Sequence, residues 1–273
     1  MLGVALLQGE SARAPIVVSW LDLGLAFALV LVAVAISWWQ RLGLARGFLV
    51  GAVRAAVQLV AVGYVLVWLF AADRPVLVLV ALAVMLLAAT WTATGRLAAK
   101  RRILFPITGT AMLLGAGLTL AYVDAAVLRV RPWHDPRYLI PLFGMIVGNA
   151  MNGAALAAER LTSEMEARRG EIEAYLALGA SPARASADAV RRALVAALIP
   201  AVNGLMVVGL VSLPGMMTGQ ILAGQSPLLA VRYQIVVAFM LAGATALTAA
   251  IVALWYRRRF FTAAEQLAAR VAV

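Results

Sequence analysis

The stretch VLVLVALAVMLLAATWTAT, residues 76–94, decides the fold class of this chain. It contains no charged residue, no proline and no glycine, and it matches the roughly 20 apolar residues that a helix needs to cross a bilayer. Backbone polar groups find no water in the hydrocarbon core, so a stretch of this kind is predicted to be a transmembrane helix. Asp73-Arg74-Pro75 precedes it and a basic cluster at 96–102 follows it, as expected for polar connections at the two membrane surfaces.

The composition of the whole chain also indicates that lipid surrounds most of it. Of its 273 residues 64% are hydrophobic and 13% are charged, whereas soluble domains carry about 25% charged residues. The chain has no Cys and a single histidine, His134. Disulfides, zinc fingers and haem ligation are therefore excluded by the inventory of side chains.

Six further stretches satisfy the same criterion, so the sequence predicts an all-α integral membrane protein with seven spans. The predicted spans are residues 17–39, 48–71, 76–94, 103–123, 138–157, 193–213 and 228–256. We predict one permease domain over residues 1–273, with a single long polar insert at about 159–192.

The distribution of basic residues predicts the orientation. If the N-terminus lies outside, most of the 23 Lys and Arg fall on the inner side, in clusters at 41–54, 96–102, 160–192 and 257–270. The outer side keeps Arg13, Arg74, Arg129, Arg131, Arg137 and Arg232. The positive-inside rule then gives an N-out, C-in topology with the polar insert in the cytoplasm. Because the charge is spread over the span ends instead of forming one stripe, we expect no nucleic-acid partner.

The polar insert carries its own helix signals. Ser163 followed by Glu166 is typical of a capping box that starts a helix, which Gly179 would end. Ser181 followed by Pro182 indicates a second helix that runs on into the sixth span. The insert is therefore predicted to be a helix-turn-helix.

Its first arm places four apolar residues near one side, which predicts an apolar patch facing the cytoplasm: Ile172, Tyr175, Leu176 and Leu178. A solvated loop without a function is the alternative interpretation of such an insertion.

The stretch EAYLALGAS, residues 173–181, resembles the EAA loop of ABC permeases, a Glu-Ala, three-residue gap, Gly element that sits in a cleft of the ATPase subunit. Tyr175 stands where the second Ala of the usual pattern would be. The resemblance implies that this part of the insert couples the permease to an ATPase, through Glu173, Ala174, Tyr175, Gly179 and Ser181.

A wider resemblance runs from about Arg54 to the final span. The stretches RAAVQL at 54–59, GNAMN at 148–152 and VVGLVSLPGMMTGQILAG at 207–224 are similar to the FetB family. Its members are described as iron-export permeases of ABC transporters, and their plant relatives are linked to aluminium tolerance. The resemblance implies a half-permease of the bacterial cytoplasmic (inner) membrane that forms a homodimer and recruits two copies of a separate ABC ATPase subunit.

No nucleotide-binding motif can be written for this chain. The only lysine, Lys100, follows Leu97-Ala98-Ala99, so a Gly-rich phosphate loop is absent. We therefore expect no enzymatic activity and no bound cofactor, with ATP being used by the partner subunit. The span midsections also lack Asp and Glu, which argues against proton coupling and leaves sodium coupling open.

Polar and sulfur-bearing side chains within the spans are candidates for the translocation pathway, and no metal site can be assigned among them. They are Arg54 and Gln58 in the second span, Asn149 and Asn152 in the fifth, Asn203 and Met206 in the sixth, and Met216, Met217 and Gln220 after it. Each has a structural alternative: snorkelling for Arg54, hydrogen bonding beside a close-packed Gly144–Gly148 pair for the asparagines, and gap filling for the methionines.

The sixth span carries the strongest helix breakers. Pro200 lies inside it, and Pro214-Gly215 is predicted to end it before a glycine-rich connection at 216–225. A kinked helix leading into a flexible turn is typical of a gate, although packing alone also produces kinks.

We interpret the chain as the permease subunit of an ABC exporter, with the resemblance implying metal ions such as iron as cargo. Two alternatives stay open at this point: an ABC permease for another cargo, such as a nucleotide sugar or a lipid, and a gradient-driven carrier without an ATPase.

Overall fold

The computed structural model describes residues 18–72, 74–95 and 100–268, and within these ranges the chain is built from helices, turns and two isolated β-bridges. The long helices are α1 (Trp20–Trp39), α2 (Ala45–Ala72), α3 (Pro75–Gly95), α4 (Arg101–Tyr122), α5 (Pro136–Ala167), α8 (Ala187–Val207) and α10 (Pro227–Arg257). The short ones are α6 (Arg169–Ala177), α7 (Pro182–Ala185) and α9 (Gly215–Leu222). A π-helical stretch, Val123–Leu128, follows α4, and a 3-10 turn, Arg258–Phe260, follows α10.

The prediction of an all-α chain with seven spans is confirmed. Within the described residues, 7 helices are long and apolar enough to cross a membrane, counting α4 through Leu128 and α10 through Phe260. Large apolar side chains such as Leu29, Leu59 and Phe239 stay exposed along these helices, a surface for which lipid is the matching solvent. The orientation stays a prediction. Val17, Asp73 and the charge-count residues Arg13, Arg96 and Arg270 lie outside the described residues.

The chain divides into two compact units, Met1–Ala72 and Asp73–Val273. That both units belong to one permease domain stays a prediction. In the first unit α1 and α2 form a helical hairpin. Ser19 caps α1, with its hydroxyl accepting from the backbone N–H of Asp22. The buried hydroxyl of Ser37 accepts from the N–H of Leu44 at 3.0 Å, which fixes the turn between the helices.

In the second unit α5 is the central helix, and it packs against α3, α4, α8 and α10. Its closest approach is to α10, where a Cβ at Gly153 would lie 2.6 Å from Cγ2 of Thr245. Gly115 on α4 meets Thr248 of α10 in the same way. Small residues therefore let these backbones approach.

The predicted close-packed Gly144–Gly148 pair is only half correct. A Cβ at Gly144 would lie 3.0 Å from Cε of Met85 on α3, but a Cβ at Gly148 would have no neighbour within 4 Å. Close packing in α5 moves one turn along, to Gly153, because α10 approaches that end of the helix.

The first arm of the insert does not begin where the capping signal predicts. The capping box at Ser163 and Glu166 is wrong, since α5 continues through both residues to Ala167. Leu161 and Met165, one turn apart, are both buried in the core, and burying this pair favours an uninterrupted helix over a new start. The polar insert therefore has its first break at Arg168, where φ is −105°.

The predicted end of the sixth span at Pro214-Gly215 is also wrong. Helix α8 ends at Val207, and Gly209 adopts φ +88° with its N–H donating to the carbonyl of Ser212 at 2.9 Å. Pro214 then occupies the N-cap position of α9, so much of the predicted flexible connection at 216–225 is helical. Pro214 has an extended backbone there, with φ −62° and ψ 140°, and its carbonyl accepts from the N–H of Thr218 at 3.0 Å.

Candidate docking insert and membrane pathway

The turn of the insert has the geometry that its sequence predicts. Helix α6 ends at Ala177, and Gly179 adopts φ +83°. The N–H of Gly179 donates to the carbonyl of Leu176 at 3.0 Å, and the N–H of Ala180 donates to the carbonyl of Tyr175 at 2.9 Å. Since the left-handed region is unfavourable for residues with a Cβ, glycine is the residue that fits this helix end.

The second arm starts as predicted but is interrupted. The Ser181 hydroxyl accepts from the N–H of Arg184, and Pro182 takes the first helical position. The predicted continuous helix breaks at the buried Ser186, whose hydroxyl donates to the carbonyl of Pro182 at 2.6 Å. Helix α8 begins at the next residue, so the second arm is the short α7 followed directly by the sixth span.

An ion-pair network joins the two arms. The Arg168 guanidinium lies 2.8 Å from the Asp188 carboxylate on α8 and 2.9 Å from the Glu171 carboxylate on α6. The predicted pairs Glu164–Arg168 and Arg169–Glu173 are also present, at 3.4 and 2.9 Å. Pairs with exposed partners stabilise by about 0–1 kcal/mol each, so the network orients the arms more than it stabilises them.

The apolar residues of α6 divide between two faces, so the predicted single patch is wrong. Ile172 is buried in a core cluster with Met165 and Ala189, and Leu176 packs against the same cluster. Tyr175 is 48% exposed and Leu178 is 85% exposed. The sequence spacing did not separate these faces because α6 is packed on one side by α5 and α8. The exposed pair lies beside Glu173 and Ala174, which are exposed as well.

The predicted pathway residues lie on exposed or half-buried faces. In the first unit Arg54 and Gln58 are exposed on α2. In the second unit Asn149 and Asn152 are exposed on α5, and the Asn149 amide donates to the carbonyl of Met145 in its own helix at 2.9 Å.

The other candidates lie on α8 and α9. Asn203 and Met206 are exposed on α8, and Asn203 ends an open groove of about 520 Å³ along that helix. Met216, Met217 and Gln220 are half-buried on α9, which packs against α10. The structure therefore places these residues on several separate helix faces.

The buried polar side chains of Gln234 and Thr248 on α10 were missed from the sequence, whereas Gln220 on α9 is among the predicted pathway residues. The side-chain oxygens of Gln220, Gln234 and Thr248 are buried and make no hydrogen bond within the described residues. Gln234 is 8% exposed and lies about two turns into the transmembrane helix α10, where an unsatisfied amide is costly. An amide side chain inside the apolar run 228–256 was the signal that could have marked Gln234 as inward-facing. Among the described residues no group of three His, Cys, Asp or Glu side chains comes close enough to hold a metal ion.

Comparison with known proteins agrees with the resemblance of residues 54–256 to FetB. The chain is 41% identical over 255 residues to the UPF0014 membrane protein slr1647 of Synechocystis, covering 93% of this chain and 98% of the relative. It is 39% identical to the Probable iron export permease protein FetB of Escherichia coli (90% and 93% covered). It is 36% identical to Protein ALUMINUM SENSITIVE 3 of Arabidopsis thaliana (90% and 89% covered).

No solved structure matches the chain. The model of the Uncharacterised protein family (UPF0014) matches residues 20–261, which include all seven spans and the insert. The chain belongs to this family of membrane proteins.

Proposed function

We propose that the chain is the membrane-spanning permease subunit of an ABC exporter, and that α6 with its turn is the element that docks on a separate ATPase subunit. The observation that carries this proposal is the exposed side of α6, where Glu173, Ala174 and Tyr175 lie before the glycine turn at Gly179. The residue types and the turn match what the resemblance to the EAA loop requires.

The length of α5 supports a docking role outside the bilayer. Its 32 residues span about 48 Å at about 1.5 Å per residue, which exceeds a hydrocarbon core of about 30 Å. The excess at the C-terminal end carries the charged residues from Glu159 onward, so α6 lies in water. Under the N-out, C-in topology this water is the cytoplasm of a bacterial cell, where ATP is available.

A docked ATPase would move the spans through rigid connections. Ile172 of α6 is buried in one core cluster with Met165 of α5 and Ala189 of α8, and this cluster extends to Tyr256 of α10. Interdigitated cores do not deform smoothly, so a displacement of α6 transfers to α5 and α8 together. Two copies of the chain, each with one ATPase subunit, would line the pathway between them.

Iron is the cargo that this proposal assigns, because FetB of Escherichia coli, 39% identical to this chain, carries the name Probable iron export permease protein. Oxygen ligands suit iron better than thioethers do. Asn149, Asn203 and Gln220 are therefore preferred over Met216 and Met217 as cargo contacts.

Purification of the complex tests the proposal. We expect the chain, coexpressed with an ABC ATPase subunit of its own organism, to copurify in detergent as a particle with two copies of each, and to change the rate of ATP hydrolysis. Absence of copurification with every ABC ATPase of that organism would contradict the proposal and favour a carrier without an ATPase.

A further inference from the structure

Helix α6 is held on a second side by the C-terminal segment. Residues 261–268 form a compact turn in which Phe261 pairs with Leu267 and the N–H of Ala268 donates to the carbonyl of Phe260 at 2.9 Å. Phe260 is buried and stacks edge-on against Tyr256 at 5.1 Å between ring centroids. The turn is therefore anchored to the end of α10.

The same turn is attached to α6 directly. The Arg169 guanidinium donates to the carbonyl of Ala268 at 3.1 Å, while Leu267 packs against the core cluster that contains Ile172. Any partner that covers the exposed side of α6 consequently meets this C-terminal turn at its edge.

Two clefts flank α6, and they differ in charge. The first, here the acidic cleft, has a volume of about 490 Å³ and lies between the end of α6 and the C-terminal turn; its charged residues are Glu173 and Glu265. The second, the basic cleft, has a volume of about 540 Å³ and lies between α6, α7 and the start of α8; its charged residues are Arg168, Glu171, Arg184, Asp188 and Arg191.

One charge in each cleft is left for a partner. In the acidic cleft Glu173 is paired with Arg169, whereas the exposed Glu265 forms no ion pair within the described residues. In the basic cleft Arg168 and Arg191 share Asp188, and the exposed Arg184 has no ion pair in the described part of the chain.

We infer that the docking surface for the ATPase subunit comprises α6 together with the C-terminal turn at residues 261–268, and that its partner presents a basic side chain to the acidic cleft and an acidic side chain to the basic cleft. The inference rests on the proposed function. The exposed Tyr175 and Leu178 supply the apolar centre, and the two opposite charges at its rim fix one orientation of the partner across α6.

Charge reversal tests this surface in the full-length chain, by copurification with the coexpressed ABC ATPase subunit in detergent. Glu265→Lys and Arg184→Glu each give the cleft a charge of the same sign as the side chain expected on the partner. We therefore expect about tenfold weaker binding of the ATPase subunit at low salt, and a smaller loss of affinity at about 0.5 M salt. Glu159→Lys and Arg160→Glu make the same charge changes on exposed residues of α5 outside both clefts and should bind like the parent. Glu265→Gln, which removes the charge alone, should lie between the parent and Glu265→Lys.

The outcomes separate this inference from the proposed function. If the parent binds the ATPase and Gly179→Val does not, but both cleft reversals bind like their α5 controls, the two-cleft surface is wrong and the docking role of α6 stands. If the parent fails to bind, the proposed function fails and this inference fails with it. If the parent and Gly179→Val bind equally well, the docking role of α6 and this inference both fail, while the permease role stands.

Discussion

Replacing Gly179 with valine perturbs the turn of the insert without touching the membrane core. Gly179 adopts φ +83°, and a Cβ there would have no neighbour within 4 Å, so the penalty comes from the backbone alone. A left-handed conformation costs about 1–2 kcal/mol for a residue with a Cβ, and more when the side chain is β-branched. If the backbone relaxes instead, the hydrogen bonds of Gly179 and Ala180 to the end of α6 are lost at about 1 kcal/mol each.

In both cases the turn conformation that binds the ATPase subunit is destabilised by about 2 kcal/mol. This corresponds to about 30-fold weaker binding of the ATPase subunit. Gly170→Val is the matched control, because Gly170 lies within α6 and, like Gly179, is in open space, but it has no positive φ. Copurification and ATP turnover of the complex measure the effect. If Gly179→Val and Gly170→Val bind the ATPase equally well, the turn does not position the docking surface.

Three further perturbations address stability, topology and the pathway. Gly153→Ala, which brings a methyl group against Thr245, should lower the free energy of unfolding in detergent by about 1–3 kcal/mol, whereas Gly148→Ala, in open space, should not. Single cysteines at Thr218 and Ser226 should react with an impermeant maleimide from outside intact cells, and those at Ser163, Ser181 and Thr262 should not; external labelling of Ser181→Cys would overturn the topology. Asn203→Leu should reduce transport with ATPase binding intact, since Asn203 is exposed on α8, while the double change Met216→Leu and Met217→Leu should leave transport unchanged; the reverse pattern would indicate a thioether-lined route.

Sequence reasoning succeeded where local signals set the structure. The predicted span at 76–94 matches α3 within one residue at each end, because Pro75 and Gly95 mark its boundaries. The turn at Gly179 was predictable for a similar reason. A helix end with a positive-φ glycine depends only on the residues next to it in the sequence.

Sequence reasoning failed where the hydrophobic pattern continues past a change in backbone conformation. Residues 208–213 are as apolar as the helix before them, so composition extended the sixth span through a turn that Gly209 creates. At Ser163 a capping signature was overruled by burial of Leu161 and Met165. Contacts between distant residues were also hidden: the acidic cleft joins Glu173 to Glu265, and no local pattern connects segments so far apart in the chain.

ATP-driven iron transport is the most direct test of the assigned role. Proteoliposomes containing this chain and its ABC ATPase subunit would be loaded with Fe²⁺ on one side, alongside parallel samples with other metals and organic solutes. We predict that Fe²⁺ crosses the bilayer only when hydrolysable ATP reaches a catalytically competent ATPase subunit. Transport at the same rate without ATP, driven by an ion gradient and with the ATPase subunit absent, would contradict the account.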